Sequence, residues 1–280
     1  MSAIGLSALS RHRYRSVLPG FRLSMSFTLI YLTSLVLIPL LALVLRPPEM
    51  SLADLWLAVS SPRTLAALRL SFGMSLAAAL IDAVFGLIIA WVLVRYRFPG
   101  KGLLDALIDL PFALPTAVAG IALSTLYAPN GWIGSILAEY GIKIAYTPGG
   151  VLVAMTFIAL PFTVRTIQPV MAELGRDSEE VAATLGATRL QIIARVVLPA
   201  LLPAILTGVA LAFARAAGEY GSIIFIAGTN IAEIAPVLIV IKLEEFDYAG
   251  AAAIGVAMLL VSFVMLLALN WLQSWAAKRR

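Results

Sequence analysis

The 280-residue chain contains no cysteine and a single histidine, His12, which sits among arginines near the N-terminus. No disulfide and no His/Cys metal cluster can therefore be built within it. Charge is scarce as well, at 12% of residues, which is about half the share usual in a soluble domain. The phosphate-binding pattern Gly-x-x-x-x-Gly-Lys-Ser/Thr is absent, because Pro99-Gly100-Lys101-Gly102 lacks the spacing that lets a loop cradle phosphates. A serine nucleophile with a histidine base is missing, and so is a cluster of carboxylates within an apolar run, so intramembrane hydrolysis is not indicated. The sequence predicts no catalytic residue, no metal and no cofactor held by this chain, and if ATP drives it another subunit must bind the nucleotide.

What is present is apolar sequence: 61% of residues are hydrophobic and the mean hydropathy is +0.99. That predicts an all-α integral membrane protein. Six runs, at 25–45, 70–94, 104–127, 150–170, 201–227 and 251–274, are each long enough to cross a hydrocarbon core of about 30 Å. Pro39, Pro111, Pro115 and Pro161 fall inside these runs, which bundle interiors tolerate because neighbours re-satisfy the freed backbone groups. A shorter run, Pro236 to Ile241, ends at Lys242-Leu243-Glu244-Glu245 and predicts a non-spanning interfacial or re-entrant helix.

Basic residues are distributed unevenly. With a cytoplasmic N-terminus, 14 of the 20 Lys and Arg fall on the cytoplasmic side, namely Arg11, Arg13, Arg15, Arg22, Arg95, Arg97, Lys101, Arg165, Arg176, Arg189, Arg195, Lys278, Arg279 and Arg280. Arg46, Arg63, Arg69, Lys143 and Lys242 fall outside, and Arg215 lies within a run. This is the positive-inside pattern, placing both termini in the cytoplasm. The pI near 9.7 follows from topology and does not argue for nucleic acid. Residues 1–22 are read as a basic cytoplasmic tail and 23–280 as the transmembrane domain. The first apolar run is too long for a signal peptide and lacks a small-residue cleavage site, so it is expected to be kept as the first span.

Between two runs lies a polar-interrupted loop, 171–199. Its centre is Glu180-Val181-Ala182-Ala183-Thr184-Leu185-Gly186-Ala187, followed by Val196-Val197-Leu198-Pro199. Asp177 with Glu180, and Thr188 with Gln191, have the spacing of helix starts capped by side chains. Gly186 is expected to end the first short helix, and Leu198-Pro199 to mark where the second meets the next apolar segment. Small residues at Ala183, Gly186 and Ala187 around Leu185 would let a partner's groove approach the backbone.

Glu180, Ala182, Gly186, Leu198 and Pro199 resemble the EAA loop of ABC importer permeases, with Val181 and Val196 replacing an Ala and an Ile of that pattern. In such proteins the loop is a coupling helix that docks onto a separate ATPase subunit. The resemblance implies that Glu180, Ala182, Ala183, Leu185, Gly186 and Ala187 form the ATPase-coupling surface.

Arg215 and Glu219 lie inside the fifth apolar run, four residues apart and so on one helix face. Charges within a membrane are costly and by default mark a pathway or a gate. Gly218 and Gly221 flank Glu219 and predict a loosened helix. Arg215, Glu219, Tyr220 and Ser222 are therefore the expected translocation-pathway residues, while Asp82, mid-run in the second segment, is expected to make an interhelical contact.

The wording of Asp109 to Gly120, Leu126 to Trp132, Phe213 to Gly228 and Glu233 to Glu244 is similar to the T-type permease of bacterial sulfate/thiosulfate importers over about residues 20–275. Molybdate permeases share the Leu-Pro-x-x-Leu-Pro-Thr run and an Arg-x-x-Gly-Glu element. The resemblance implies a type I ABC importer permease fold in the bacterial inner membrane. It also implies a pore shared with a W-type permease, two ATPase subunits that bind ATP and Mg, and a periplasmic sulfate-binding protein. A molybdate or tungstate permease is the alternative. An ion-coupled secondary anion transporter would show paired broken helices in two repeated halves, and no second copy of the Arg215 to Ser222 element exists.

Overall fold

Hydroxyls and a proline shape the first apolar run. In a helix from Phe21 to Leu43, Thr28 and Ser34 donate their hydroxyls to carbonyls four residues back, at Ser24 and Ile30. These polar groups are satisfied without leaving the helix. The run begins as α1 (Phe21–Leu32), widens into a π-helical turn at Thr33–Leu37 and continues as α2 (Ile38–Leu45). The wide turn precedes Pro39, whose ring would otherwise press on the carbonyl of Leu35. The computed structural model describes residues 20–45, 51–228 and 233–278. Residues 1–19 of the basic tail, and with them Arg11, Arg13 and Arg15, lie outside the described residues, as do Arg46, Arg279 and Arg280. The chain divides into two units, 1–46 and 47–280.

The second unit opens with α3 (Leu52–Ser60), started by a reciprocal capping box between Ser51 and Asp54. Ser61 then caps α4 (Pro62–Arg95). Two further long helices pack against it in the core, α9 (Pro148–Glu173) and α12 (Leu198–Ala217). Small residues decide how closely they approach. A Cβ placed on Gly86 of α4 would lie 2.8 Å from the Thr163 side chain of α9, and one on Gly208 of α12 would lie 3.1 Å from the Thr163 backbone. Buried alanines 78, 79, 154, 159, 212 and 216 extend this packing, which suits lipid, where association depends on close backbone approach. Asp82 is fully buried on α4, and neither carboxylate oxygen has a hydrogen-bond partner among the described residues. The interhelical contact expected of Asp82 therefore involves no hydrogen bond of its carboxylate among the described residues.

Among the described residues five helices are long and apolar enough to cross a membrane: Phe21–Leu43, Pro62–Arg95, Pro148–Glu173, Arg189–Ala217 and Tyr248–Ser274. The third expected run, 104–127, is not one helix. It forms α5 (Lys101–Ile108), α6 (Leu110–Ala113) and α7 (Thr116–Tyr127). Pro111 starts the second piece, and Pro115 holds Leu114 in an extended conformation that ends it. The Arg165 guanidinium of α9 grips the α5/α6 junction, donating to both oxygens of Asp109 at 2.8 and 2.6 Å and to Asp105 at 2.8 Å.

The fifth expected run, 201–227, is displaced along the sequence. Its helix begins at Arg189 and ends at Ala217. After a turn the chain forms α13 (Ile223–Ile226). The expected short helix is present as α14 (Ala235–Glu244). Its start is pinned to α4, where the Ala235 N–H donates to the buried Ser71 hydroxyl at 2.7 Å and Arg63 forms a two-pronged pair with Glu233. That pairing holds the Glu233 carboxyl below the usual carboxylate range. The last helix, α15 (Tyr248–Lys278), packs on α12 and α14.

Candidate functional site

The loop 171–199 folds as helix, turn, helix. α10 (Asp177–Thr184) carries Asp177, Glu179 and Glu180 in its first turn, where carboxylates suit the positive end of the helix dipole. Asp177 is not the expected N-cap. That position is Arg176, which makes no side-chain cap, and Asp177 is the first helical residue. Leu185 closes the helix and Gly186 follows with φ +83°. Few other residues accept this left-handed conformation without strain. The Ala187 N–H donates to the Ala182 carbonyl at 3.1 Å, completing the stop.

The second capping pair forms as expected. Gln191 donates its N–H to the Thr188 hydroxyl, while its side-chain oxygen accepts the Thr188 N–H at 2.8 Å. The following α11 (Arg189–Ile192) does not stop at Leu198-Pro199. It passes through a π-helical turn at Ile193–Val197 directly into α12. The same device serves Pro39 in the first unit: the wide turn spreads the carbonyl four residues before the proline away from its ring. A continuous helix of 29 residues, Arg189–Ala217, therefore runs from the loop to the Arg215 element.

The loop's tip is open. Glu180, Ala183 and Gly186 are exposed, Ala182 and Ala187 are half-buried, and Leu185 is 82% exposed. A leucine presented in this way on a capped turn can fill an apolar pocket of a partner, with the small residues beside it admitting the pocket's walls.

At the other end of α12 the predicted site residues converge in part. Arg215 lies in the last turn, 26 residues beyond Arg189, or about 39 Å along the helix. It donates to Glu219 Oε2 at 2.6 Å. The other oxygen, Oε1, accepts the Ser222 N–H at 3.0 Å and the Ser222 hydroxyl at 3.1 Å. Glu219 is 2% exposed and Arg215 30%, so the carboxylate is enclosed while the guanidinium keeps an open side. Among the described residues Nε and Nη2 of Arg215 make no hydrogen bond. Tyr220 is not part of this network and packs half-buried against the core.

The loosening predicted at Gly218 and Gly221 is real, and Glu219 gives it a fixed shape by bridging α12 to the turn. The turn is also wedged against α7. A Cβ on Gly120 would lie 2.4 Å from the Ser222 carbonyl oxygen, a contact with backbone that no side-chain rotation relieves. One to two helical turns further along α7, a pocket of about 590 Å³ is lined by Ser124, Thr125, Asn130, Trp132 and Tyr146 among others, and Arg215 is not in its wall.

Besides the Arg63–Glu233 pair, two groups of charges escaped the sequence reading, because Arg and Lys at the ends of apolar runs were used only as topological markers. One is the Arg165 grip on Asp105 and Asp109. The other joins Arg95 at the end of α4 to Glu179 of α10. The interspersed acidic residues beside apolar runs were the available signal, but partners separated by 56 to 84 positions cannot be paired without the fold.

Comparison with known proteins agrees with this architecture. Residues 82–280 match the family described as "Binding-protein-dependent transport system inner membrane component". The chain is 50% identical to the sulfate transport system permease protein CysT of Salmonella typhimurium over 95% of this chain and 96% of that protein. It is 49% identical to the protein of the same name from Escherichia coli, again over 95% and 96%. Among solved structures, a bacterial ABC transporter that imports the acidic polysaccharide alginate superposes with a TM-score of 0.74 at 18% identity, over 91% of this chain and 96% of that one. An inward-facing methionine ABC transporter superposes with a TM-score of 0.57, over 81% and 99%. This multi-pass helical chain belongs to the family of binding-protein-dependent transport system inner membrane components.

Proposed function

We propose that this chain is the pore-forming permease subunit of an ATP-driven sulfate and thiosulfate importer in the bacterial inner membrane, with both termini cytoplasmic. The exposed turn at Leu185 and Gly186, borne on a helix continuous with the Arg215 element, carries this reading. Glu180, Ala182, Ala183, Leu185, Gly186 and Ala187 dock onto a cytoplasmic ATPase subunit, which holds the ATP and Mg. Two such ATPases serve a pore shared with a related W-type permease, and a periplasmic sulfate-binding protein delivers the anion. ATP binding favours the outward-facing state only if the ATPase contacts this loop differently in the two states. Arg215 lines the passage, its open guanidinium offsetting part of the desolvation of a divalent oxyanion, while Glu219 and Ser222 hold the turn that positions it and Tyr220 flanks it. The near-50% identity to sulfate permeases along almost the whole chain supports the choice of anion.

The test is uptake of labelled sulfate, thiosulfate and molybdate in a bacterial strain lacking its own permease, complemented with this chain and its partner subunits. Sulfate and thiosulfate uptake dependent on ATP is expected. Uptake of molybdate alone would overturn the assignment of substrate, and uptake without an ATPase subunit would overturn the mechanism.

A further inference from the structure

The connection between the coupling helix and the membrane core is not confined to the continuous helix that follows it. A second link is formed by two arginines that each reach into the other's element. Arg95, the last residue of α4, donates through Nη2 to the Gly175 carbonyl at 2.7 Å and to the carboxylate of Glu179 in the first turn of α10. Arg176, the N-cap of α10, donates back to the Arg95 carbonyl at 2.7 Å, one of the carbonyls left without a partner where α4 ends. The Arg95 side chain is 9% exposed and its guanidinium lies over the Trp91 ring, 5.7 Å from the centroid, a stacking that suits a cation.

Three features set this apart from an ordinary surface ion pair. The arginine is enclosed, so the pair is little weakened by water or salt. Its partners lie on both sides of the chain's entry into α10, at Gly175 and Glu179, which fixes the direction of that helix as well as its position. The bonds are also reciprocal, so that α10 cannot tilt or withdraw without breaking charged hydrogen bonds at both arginines. α4 in turn packs along most of its length against α9 and α12.

We propose that Arg95 is a positioning residue for energy coupling: with Glu179 and Arg176 it clamps α10 to the end of α4, so that the coupling helix and the α4–α9–α12 core move as one body. This rests on α10 being the surface that docks onto an ATPase subunit. A force applied at Leu185 is then delivered to α4 and α12 together, at both ends of the loop. Without the clamp, α10 can follow the ATPase while α4 stays behind.

The experiment uses the assembled transporter in membranes. Arg95→Ala is expected to accumulate and to co-purify with the ATPase subunit, yet to lose about tenfold or more of its sulfate uptake, the size of a typical coupling between sites. Arg95→Lys, a cation without the fork, should restore uptake only in part. The chain has no cysteine, so Arg95→Cys with Glu179→Cys introduces the only thiols in this subunit. That pair should transport poorly as isolated and regain uptake when bridged by a short bis-maleimide. Wild-type uptake by Arg95→Ala would overturn the clamp. Loss of Arg95→Ala from the membrane would do the same by reducing the contact to fold maintenance, and so would inhibition of a transporting cysteine pair by the bridge, since α10 would then have to move against α4. Failure of the wild-type chain to co-purify an ATPase would instead refute the docking on which the clamp depends.

Discussion

Replacing Arg215 tests whether its charge serves the fold or the passing anion, and the structure dictates how the partner must be changed. Arg215→Ala removes one of three donors to a carboxylate that is 2% exposed. A hydrogen bond to a charged group contributes about 1.5–3 kcal/mol. Breaking a fully buried pair costs about 3–5 kcal/mol, but Arg215 is 30% exposed and Glu219 keeps both donors from Ser222, so the lower range applies. The single variant should therefore lose about 2 kcal/mol, a factor of about thirty in the folded-to-unfolded ratio.

Removing Glu219 as well with alanine would not repair this, because the Ser222 N–H and hydroxyl would both lose their acceptor inside the core. Glu219→Gln keeps a carbonyl oxygen for Ser222 and removes the charge. Arg215→Ala with Glu219→Gln should accordingly stay within about 1 kcal/mol of the parent. The assay pairs membrane abundance and thermal survival in detergent with sulfate uptake. Normal abundance with uptake reduced about tenfold or more is expected if the guanidinium eases the passage of the anion. Normal abundance with normal uptake would refute that role and leave Arg215 and Glu219 as a structural brace.

Gly186→Trp, which forces a bulky side chain into a left-handed position on the exposed tip, should leave insertion intact while separating ATP hydrolysis from sulfate uptake, and unimpaired uptake would remove the turn from the docking surface. Gly120→Ala, whose Cβ would meet the Ser222 backbone, should lower stability by about 1–3 kcal/mol, seen as earlier thermal aggregation in detergent, and an unchanged profile would contradict the close approach of α7 to the turn. Asp82→Asn should hold or raise thermal survival by up to about 1 kcal/mol, because the buried carboxylate has no hydrogen-bond partner among the described residues, and a marked fall would mean that the assembled complex supplies one. A reporter fused after Arg280 should be active only if it is a cytoplasmic type, and a periplasmic signal would overturn the orientation read from the basic residues.

Composition and local pattern determined the outline. Long apolar runs can only be helices in lipid, because each backbone group must find its partner within the segment. The Thr188–Gln191 capping box and the stop at Gly186 were legible for a similar reason, since the groups that satisfy one another lie within a few residues. Propriety of that kind fails once the partner is distant in sequence. Pro111 and Pro115 were visible, but whether neighbours would carry a helix past them depended on the packing around α5 to α7, and the chain breaks into three pieces instead. Pro199 suggested a boundary, whereas a π-helical turn carries the helix through. The spacing of Arg215 and Glu219 alone puts them on one helix face where they can pair, while the second role of Glu219, holding Ser222 in a turn wedged against Gly120 of α7, requires two segments about a hundred residues apart to meet. The clamp of Arg95 on Glu179 is of the same kind. Each charge is plain in the sequence, and only the return of α9 alongside α4 brings the two together.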